Sequence, residues 1–129
     1  MGVRYLADTS TIIRYLNHSF QRSSINLLDK AFEKEIIISF ITEIELKVWT
    51  SPEPSDLVVY LEFLSKCRVI GIDQQVINKT ADLRKAYKIK IPDAIIASTA
   101  VCNNLTLITD DEKDFARKKE LKQLYPNRL

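Results

Sequence analysis

The chain reads as an α/β domain, a mostly parallel sheet covered by helices on both faces, and three observations predict this. Short apolar runs of strand length alternate with longer stretches of helical period along the 129 residues, as parallel strands joined by crossover helices require. One run, Ile36-Ile37-Ile38, is continuously apolar, as in a strand buried on both faces. Acidic residues (Asp8, Glu45, Asp93 and the Asp111/Asp114 pair) recur where strands should end and helices begin. The carboxyl ends of the strands form the ligand crevice of an open α/β sheet.

In chain order, Val3-Arg4-Tyr5-Leu6-Ala7 predicts a strand near 3–7 that runs into Asp8-Thr9-Ser10. Helices are expected near 10–17 and 22–34, then a strand near 36–40. The next helix, near 41–50, carries Glu45. Thr50-Ser51-Pro52-Glu53-Pro54-Ser55 is a break between helices, because each Pro disfavours helix before it. In the helix near 55–66, Leu57, Tyr60, Leu61 and Leu64 follow the i, i+3, i+4, i+7 pattern of one buried face. A strand near 68–72 precedes a helix near 74–87, where Val76, Thr80, Leu83 and Tyr87 repeat that stripe less strictly. Pro92-Asp93 opens an apolar helix near 92–103. Leu105-Thr106-Leu107-Ile108-Thr109 is a strand that ends at Asp110-Asp111. A helix near 111–118 and a short strand near 121–125 complete the expectation.

Composition removes several classes of function. At this length one domain is expected, burying about two-thirds of its unfolded surface. Hydrophobic content of 46% and charged content of 28% are ordinary for a soluble chain. Only Gly2 and Gly71 occur, so the glycine-rich loops of dinucleotide-binding and P-loop proteins are excluded. Cys67 and Cys102 lack metal-ligand spacing and read as free, reduced thiols. No apolar run approaches a membrane span and the N-terminus has no signal-peptide pattern, so a cytoplasmic protein is expected. His18, the only histidine, lies in a polar stretch and reads as a surface residue with no nucleophile pointed out beside it. Trp49 reads as core or interface.

The net charge of +2 says little about partners. Its distribution says more. Arg84, Lys85, Lys88 and Lys90 precede Asp93, and Lys113, Arg117, Lys118, Lys119 and Lys122 follow the last acids. Basic groups around an acidic centre suit a phosphate backbone laid across bound cations. A solvated helix face is the competing explanation for each cluster.

The acids also have a bland explanation. Asp8, Asp93 and Asp111 fall at or near helix starts, where a carboxylate caps free N–H groups and complements the dipole, worth about 1 kcal/mol. Glu45 resists it. Ile41, Ile44 and Val48 lie at −4, −1 and +3 from it, placing it on the face expected to pack on the sheet. A carboxylate there needs a cation or a solvated cleft, since Glu is almost never fully buried unpaired. If these acids converge, repulsion decides. Two unit charges 4 Å apart cost about 4 kcal/mol at an effective dielectric of 20, and several such pairs would consume most of a small domain's ~5–15 kcal/mol. Protons or divalent cations must neutralise them, and all-oxygen ligands favour Mg²⁺ or Mn²⁺.

Four blocks together resemble the PIN-domain ribonucleases, and especially the VapC-type toxins of bacterial toxin–antitoxin modules. Leu6-Ala7-Asp8-Thr9-Ser10 is similar to the family's opening strand and first metal-binding Asp. Ile38-Ser39-Phe40-Ile41-Thr42-Glu43-Ile44-Glu45-Leu46 is similar to the second block, its Thr-x-x-Glu spacing selecting Glu45 over Glu43. Ile91-Pro92-Asp93-Ala94-Ile95-Ile96-Ala97-Ser98-Thr99-Ala100 matches the third, with its acid at Asp93. Leu107-Ile108-Thr109-Asp110-Asp111-Glu112-Lys113-Asp114-Phe115 resembles the closing block. There the Thr-x-Asp position points to Asp111 and the Asp-Phe position to Asp114, with Asp111 favoured.

The resemblance implies a three-layer fold around a five-stranded parallel sheet, commonly a homodimer, with RNA (often tRNA or rRNA) as substrate and inhibition by a cognate antitoxin. It implies hydrolysis of an RNA phosphodiester with Mg²⁺ or Mn²⁺ as cofactor. Asp8 and Asp93 would be the principal ligands, supported by Glu45 and Asp111, and Thr9, Ser10 and Thr109 would orient water. Arg84, Lys85, Lys88, Lys90, Lys113 and Arg117 are the candidate RNA contacts. Two alternatives stand beside this reading: a non-catalytic PIN-like module that binds RNA or protein, and a housekeeping nuclease without an antitoxin. A phospho-acceptor domain has only Asp73, after the third strand, in its favour.

Overall fold

A computed structural model describes residues 2–49, 54–110 and 121–126. Its elements follow the expected order: β1 (Tyr5–Ala7), α1 (Thr9–Leu16), α2 (Arg22–Ala31), β2 (Ile36–Ser39), α3 (Phe40–Val48), α4 (Pro54–Ser65), β3 (Cys67–Ile70), α5 (Gln74–Ala86), α6 (Ile91–Cys102), β4 (Thr106–Ile108) and β5 (Gln123–Leu124). The expected helix near 111–118, and most of the break between α3 and α4, lie outside the described residues.

The five strands form one sheet in the order β3-β2-β1-β4-β5, and every pairing is parallel. Leu6 is in register with Ile37 on one side and Leu107 on the other. The chain therefore winds outward from β1 to β2 and β3, then crosses to the other side for β4 and β5. The reversal between β1 and β4 is a topological switch point, where loops diverge and leave a crevice.

Side-chain alternation along the strands builds two cores. Leu6, Ile37 and Leu107 face one way, against Leu83 of α5 and Ala94, Ile96, Ala97 and Ala100 of α6. Ala7, Ile38 and Ile108 face the other way, where Ile12, Leu28, Leu46, Tyr60 and Phe63 cover them. Every residue of α6 from Ala94 to Ala100 is buried, so this helix has no polar face. Its two buried hydroxyls are satisfied internally: Ser98 and Thr99 donate to the carbonyls one turn back at 2.6 and 2.7 Å.

Two expected stripes meet different fates. Val76 and Leu83 of α5 are buried, as the spacing predicts. In α4 the buried face is Tyr60, Phe63 and Leu64, while Leu57 and Leu61 are 43% and 44% exposed. The helix is apolar on nearly every side, so periodicity could not choose the inward face; the aromatic cluster of Tyr15, Phe32 and Phe63 chooses it. Asp73 is explained by capping, since Oδ1 accepts from the Val76 amide at 2.9 Å. Cys67 and Cys102 are not joined in a disulfide, and burial pushes the Cys67 thiol up to about 12. Among the described residues no helix is long and apolar enough to cross a membrane.

Leu107→Ala, at a fully buried position in the sheet, is expected to cost about 2–5 kcal/mol. Val58→Ala on α4, where the side chain is 64% exposed, should change stability by less than about 0.5 kcal/mol. Urea-unfolding midpoints of the two variants check the assignment of the core.

Candidate active site

Asp8 follows β1 directly and is the N-cap of α1, with extended backbone at φ −79° and ψ 168°. Its Oδ1 accepts from the Thr11 amide at 2.9 Å, and the Ser10 hydroxyl lies 3.4 Å from the same oxygen. Its Oδ2 accepts from the Thr109 hydroxyl at 2.5 Å. Thr109 follows β4, so this bond spans the switch point. Asp8 is 5% exposed. Burial raises its pKa above the ordinary 3.8, hydrogen bonds from Thr109 and Thr11 pull it back, and the negative charge of Asp110 adds to the rise.

Glu45 comes from the middle of α3, which starts at the last residue of β2 with Ser39 as its cap. The Thr9 hydroxyl donates to Glu45 Oε1 at 2.6 Å and is hydrogen-bonded to the Thr42 hydroxyl at 3.0 Å. Thr9 thus orients a carboxylate. The expectation that Glu45 shares a sheet-packing face with Ile44 and Val48 is corrected. Those residues are 52% and 70% exposed, and α3 buries Thr42 and Leu46 instead. The reason is placement: α3 lies among α1, α4 and α6 at the end of the sheet, so those neighbours choose its inward face. Glu45 consequently stands half-buried on a solvated wall.

Asp93 lies in the first turn of α6 beside Pro92, but the cap residue is Lys90. Its position is one where the helix dipole favours a carboxylate. Asp8, Glu45 and Asp93 line a single cavity of about 540 Å³, with Thr9 and Ser10 on the same polar side. Ile13, Val48, Trp49 and Ile96 form its apolar side. His18 is exposed, in a turn outside this lining.

Among the described residues, no three His, Cys, Asp or Glu side chains are drawn closely enough to hold a metal ion as they stand. Asp8 and Glu45 are instead occupied by hydroxyl and amide donors. The donor chemistry nevertheless fits a hard cation. The cavity offers carboxylates and hydroxyls with no Cys or His, and one of those carboxylates is desolvated. Such a set suits Mg²⁺ or Mn²⁺.

Asp111, Asp114, Lys113 and Arg117 lie outside the described residues. Their neighbour Asp110 is held by Arg14, whose guanidinium reaches Oδ2 at 2.5 Å and stacks over the Phe20 ring at 4.3 Å. Sequence reasoning did not single out Arg14 or Asp110, which are 96 positions apart. Thr42 had a signal, the Thr-x-x-Glu spacing. Among the basic residues, Arg84, Lys88 and Lys90 line a second cavity of about 380 Å³ with Tyr87 and Ile89, at the entry to α6. Arg84 donates to the Ile89 carbonyl at 2.7 Å, and Lys85 is exposed on the last turn of α5.

A family model described as the PIN domain matches residues 5–121. The chain belongs to the PIN-domain family. This bears out the resemblance carried by the four acidic blocks. A toxin–antitoxin complex from Klebsiella pneumoniae contains a chain 32% identical to this PIN domain, covering 95% of this chain and 97% of that one, with a TM-score of 0.77. VapBC2 from Rickettsia felis, bound to a DNA fragment from its promoter, is 26% identical over 95% of this chain and 98% of that one, with a TM-score of 0.80. DNA-bound VapBC from Salmonella typhimurium shares the fold at 22% identity, covering 97% and 99% with a TM-score of 0.80. No curated protein matches the chain.

The raised pKa of Asp8 has a definite sign in stability. The folded state holds this proton more tightly than the unfolded chain does, so the contribution is full below about pH 3.8 and is lost as pH rises through the raised value. Without divalent cations, Asp8→Asn should therefore melt at or above the wild-type temperature at pH 7, with the difference closing or reversing toward pH 4. Thermal melts across that range measure it.

Proposed function

We propose that this PIN domain is a Mg²⁺- or Mn²⁺-dependent endoribonuclease that hydrolyses RNA phosphodiester bonds, acting as the toxin of a toxin–antitoxin pair. The observation that carries the reading is the meeting of Asp8, Glu45 and Asp93 on one cavity at the sheet's switch point. These residues come from three different helix segments in a chain whose family match spans nearly its whole length.

Asp8 and Asp93 would hold the principal cation. Glu45 and Asp111, with Asp114 as the alternative to Asp111, would support it or a second ion. When bound, such a cation supplies Lewis-acid polarisation of the phosphodiester and stabilises charge developing on its oxygens. The protein's own contribution is positioning. Thr109 and the first turn of α1 hold both oxygens of Asp8, while Thr9, backed by Thr42, holds Glu45. Thr9, Ser10 and Thr109 would orient cation-bound water through their hydroxyls. The reaction is hydrolysis: water adds to phosphorus, the bond to the leaving ribose oxygen breaks, and that oxygen takes up a proton.

Arg84, Lys85, Lys88 and Lys90, with Lys113 and Arg117, would neutralise phosphates of the RNA strand. Each such contact adds to the salt dependence of binding. The antitoxin reading is supported by the Klebsiella and Rickettsia complexes. It is also supported by an unusually apolar surface: Ile44 and Val48 of α3 with Leu57, Val58, Val59 and Leu61 of α4 are all at least 43% exposed. Where exposed apolar side chains gather, they mark interaction sites. An antitoxin is the occupant we assign, with a homodimer formed elsewhere on this single cytoplasmic domain.

One observation favours a second reading. Among the described residues no three acids are gathered at ligand spacing, and Asp8 and Glu45 accept from protein donors, as a non-catalytic RNA- or protein-binding module would have them. Cleavage decides between the two. Wild-type protein with Mn²⁺ should cut RNA at discrete sites, and Asp8→Asn and Asp93→Asn should each lower the rate by at least about 100-fold while remaining folded. Cleavage retained by both variants would sink the nuclease assignment. A Lys88→Glu/Lys90→Glu variant should weaken RNA binding across sequences and reduce the slope of log K against log salt by about one per lost contact; anisotropy titrations at several salt concentrations measure it.

A further inference from the structure

The cavity's apolar side has no role in holding a cation. The segments that bring polar groups to the cavity also bring apolar side chains about one turn further along: Ile13 follows Thr9, Val48 and the cap residue Trp49 follow Glu45, and Ile96 follows Asp93. One turn is about 5.4 Å of helix, so an apolar band lies beside the acids and shares their cavity. Trp49 ends α3 with 45% of its surface exposed, and Val48 is 70% exposed. Folding does not require a large aromatic ring left open to water beside three carboxylates. An indole serves as a stacking platform for an unpaired base, because every base offers a π-face.

We propose that Trp49 is a base-stacking residue: the nucleotide adjoining the scissile phosphate is unpaired and lays its base on the Trp49 indole, beside Val48. This rests on the nuclease reading above and narrows its substrate to single-stranded or looped RNA. The acids receive the phosphate, and the apolar band receives the base attached to it. A paired base stays in its helical stack and cannot reach the indole.

Trp49 is the only tryptophan in the chain, so its fluorescence reports directly on the site. The Asp93→Asn protein, which does not cut, is titrated with a short dye-labelled oligoribonucleotide lacking self-complementarity, and with the same strand annealed to its complement. Binding is followed by dye anisotropy, and tryptophan emission is read in parallel with the unlabelled strand. The single strand should quench Trp49 and the duplex should not. Trp49→Ala in the same background should bind the strand about 5- to 100-fold more weakly, with Trp49→Phe recovering most of the loss. If the strand binds with Trp49 emission unmoved and both variants bind as tightly, stacking is overturned while the nuclease reading stands, and Trp49 becomes a protein-facing residue. If the strand fails to bind and wild-type protein fails to cut RNA with Mn²⁺, the underlying reading falls and takes the proposal with it.

Discussion

A carboxylate that water barely reaches, at the carboxyl end of β1, organises this protein. Asp8 is desolvated by the helices and strands around it, which favours the protonated form. The chain answers with every donor that local geometry can aim at it: the Thr11 amide through the helix cap, and the Thr109 hydroxyl from across the switch point. Burial and hydrogen bonding thus pull its proton affinity in opposite directions, and burial prevails. Capping alone would be satisfied by an exposed Asp. Asp73 shows that simpler case at the start of α5.

The rest of the site inherits its precision from the sheet. Parallel strands end together, and each is followed at once by a helix or a turn, so residues far apart in sequence reach the same edge within a few positions of a strand. β1 leads to Asp8, β2 passes through Ser39 into the helix of Glu45, and β4 leads to Thr109. Asp93 arrives by another route, on the first turn of a helix with no polar face. α6 can lie flat on the sheet because Ala94, Ala97 and Ala100 leave room for close approach, and that packing fixes where its N-terminus points. Arg14 and Asp110 add a clamp between α1 and the segment after β4, partly exposed and stiffened by the Phe20 ring beneath it. A pair of this exposure contributes modestly to stability; its effect is to hold the segment that leads to Asp111.

Part of the surface is shaped by something other than the fold. α3 and α4 leave apolar side chains exposed to water, and Arg84, Lys88 and Lys90 are grouped around a separate cavity at the entry to α6.

The sequence by itself determined the fold class, the order of the elements and the acids worth watching. Those signals are local: a continuous apolar run at Ile36-Ile37-Ile38, a proline opening α6, and Thr-x-x-Glu spacing around Glu45 are all written in neighbouring residues. Only the tertiary structure decided which faces turn inward. Glu45 was placed on a sheet-packing face by its spacing from Ile44 and Val48, but the neighbouring helices choose the inward face of α3. The α4 stripe held at Tyr60 and Leu64 and failed at Leu57 and Leu61, because a helix apolar on nearly every side carries no unique phase. The strand order β3-β2-β1-β4-β5, the Thr109–Asp8 bond and the Thr9–Glu45 bond join positions 101 and 36 residues apart. Contacts over such separations depend on how layers pack, and packing is a property of the whole chain that no local pattern encodes.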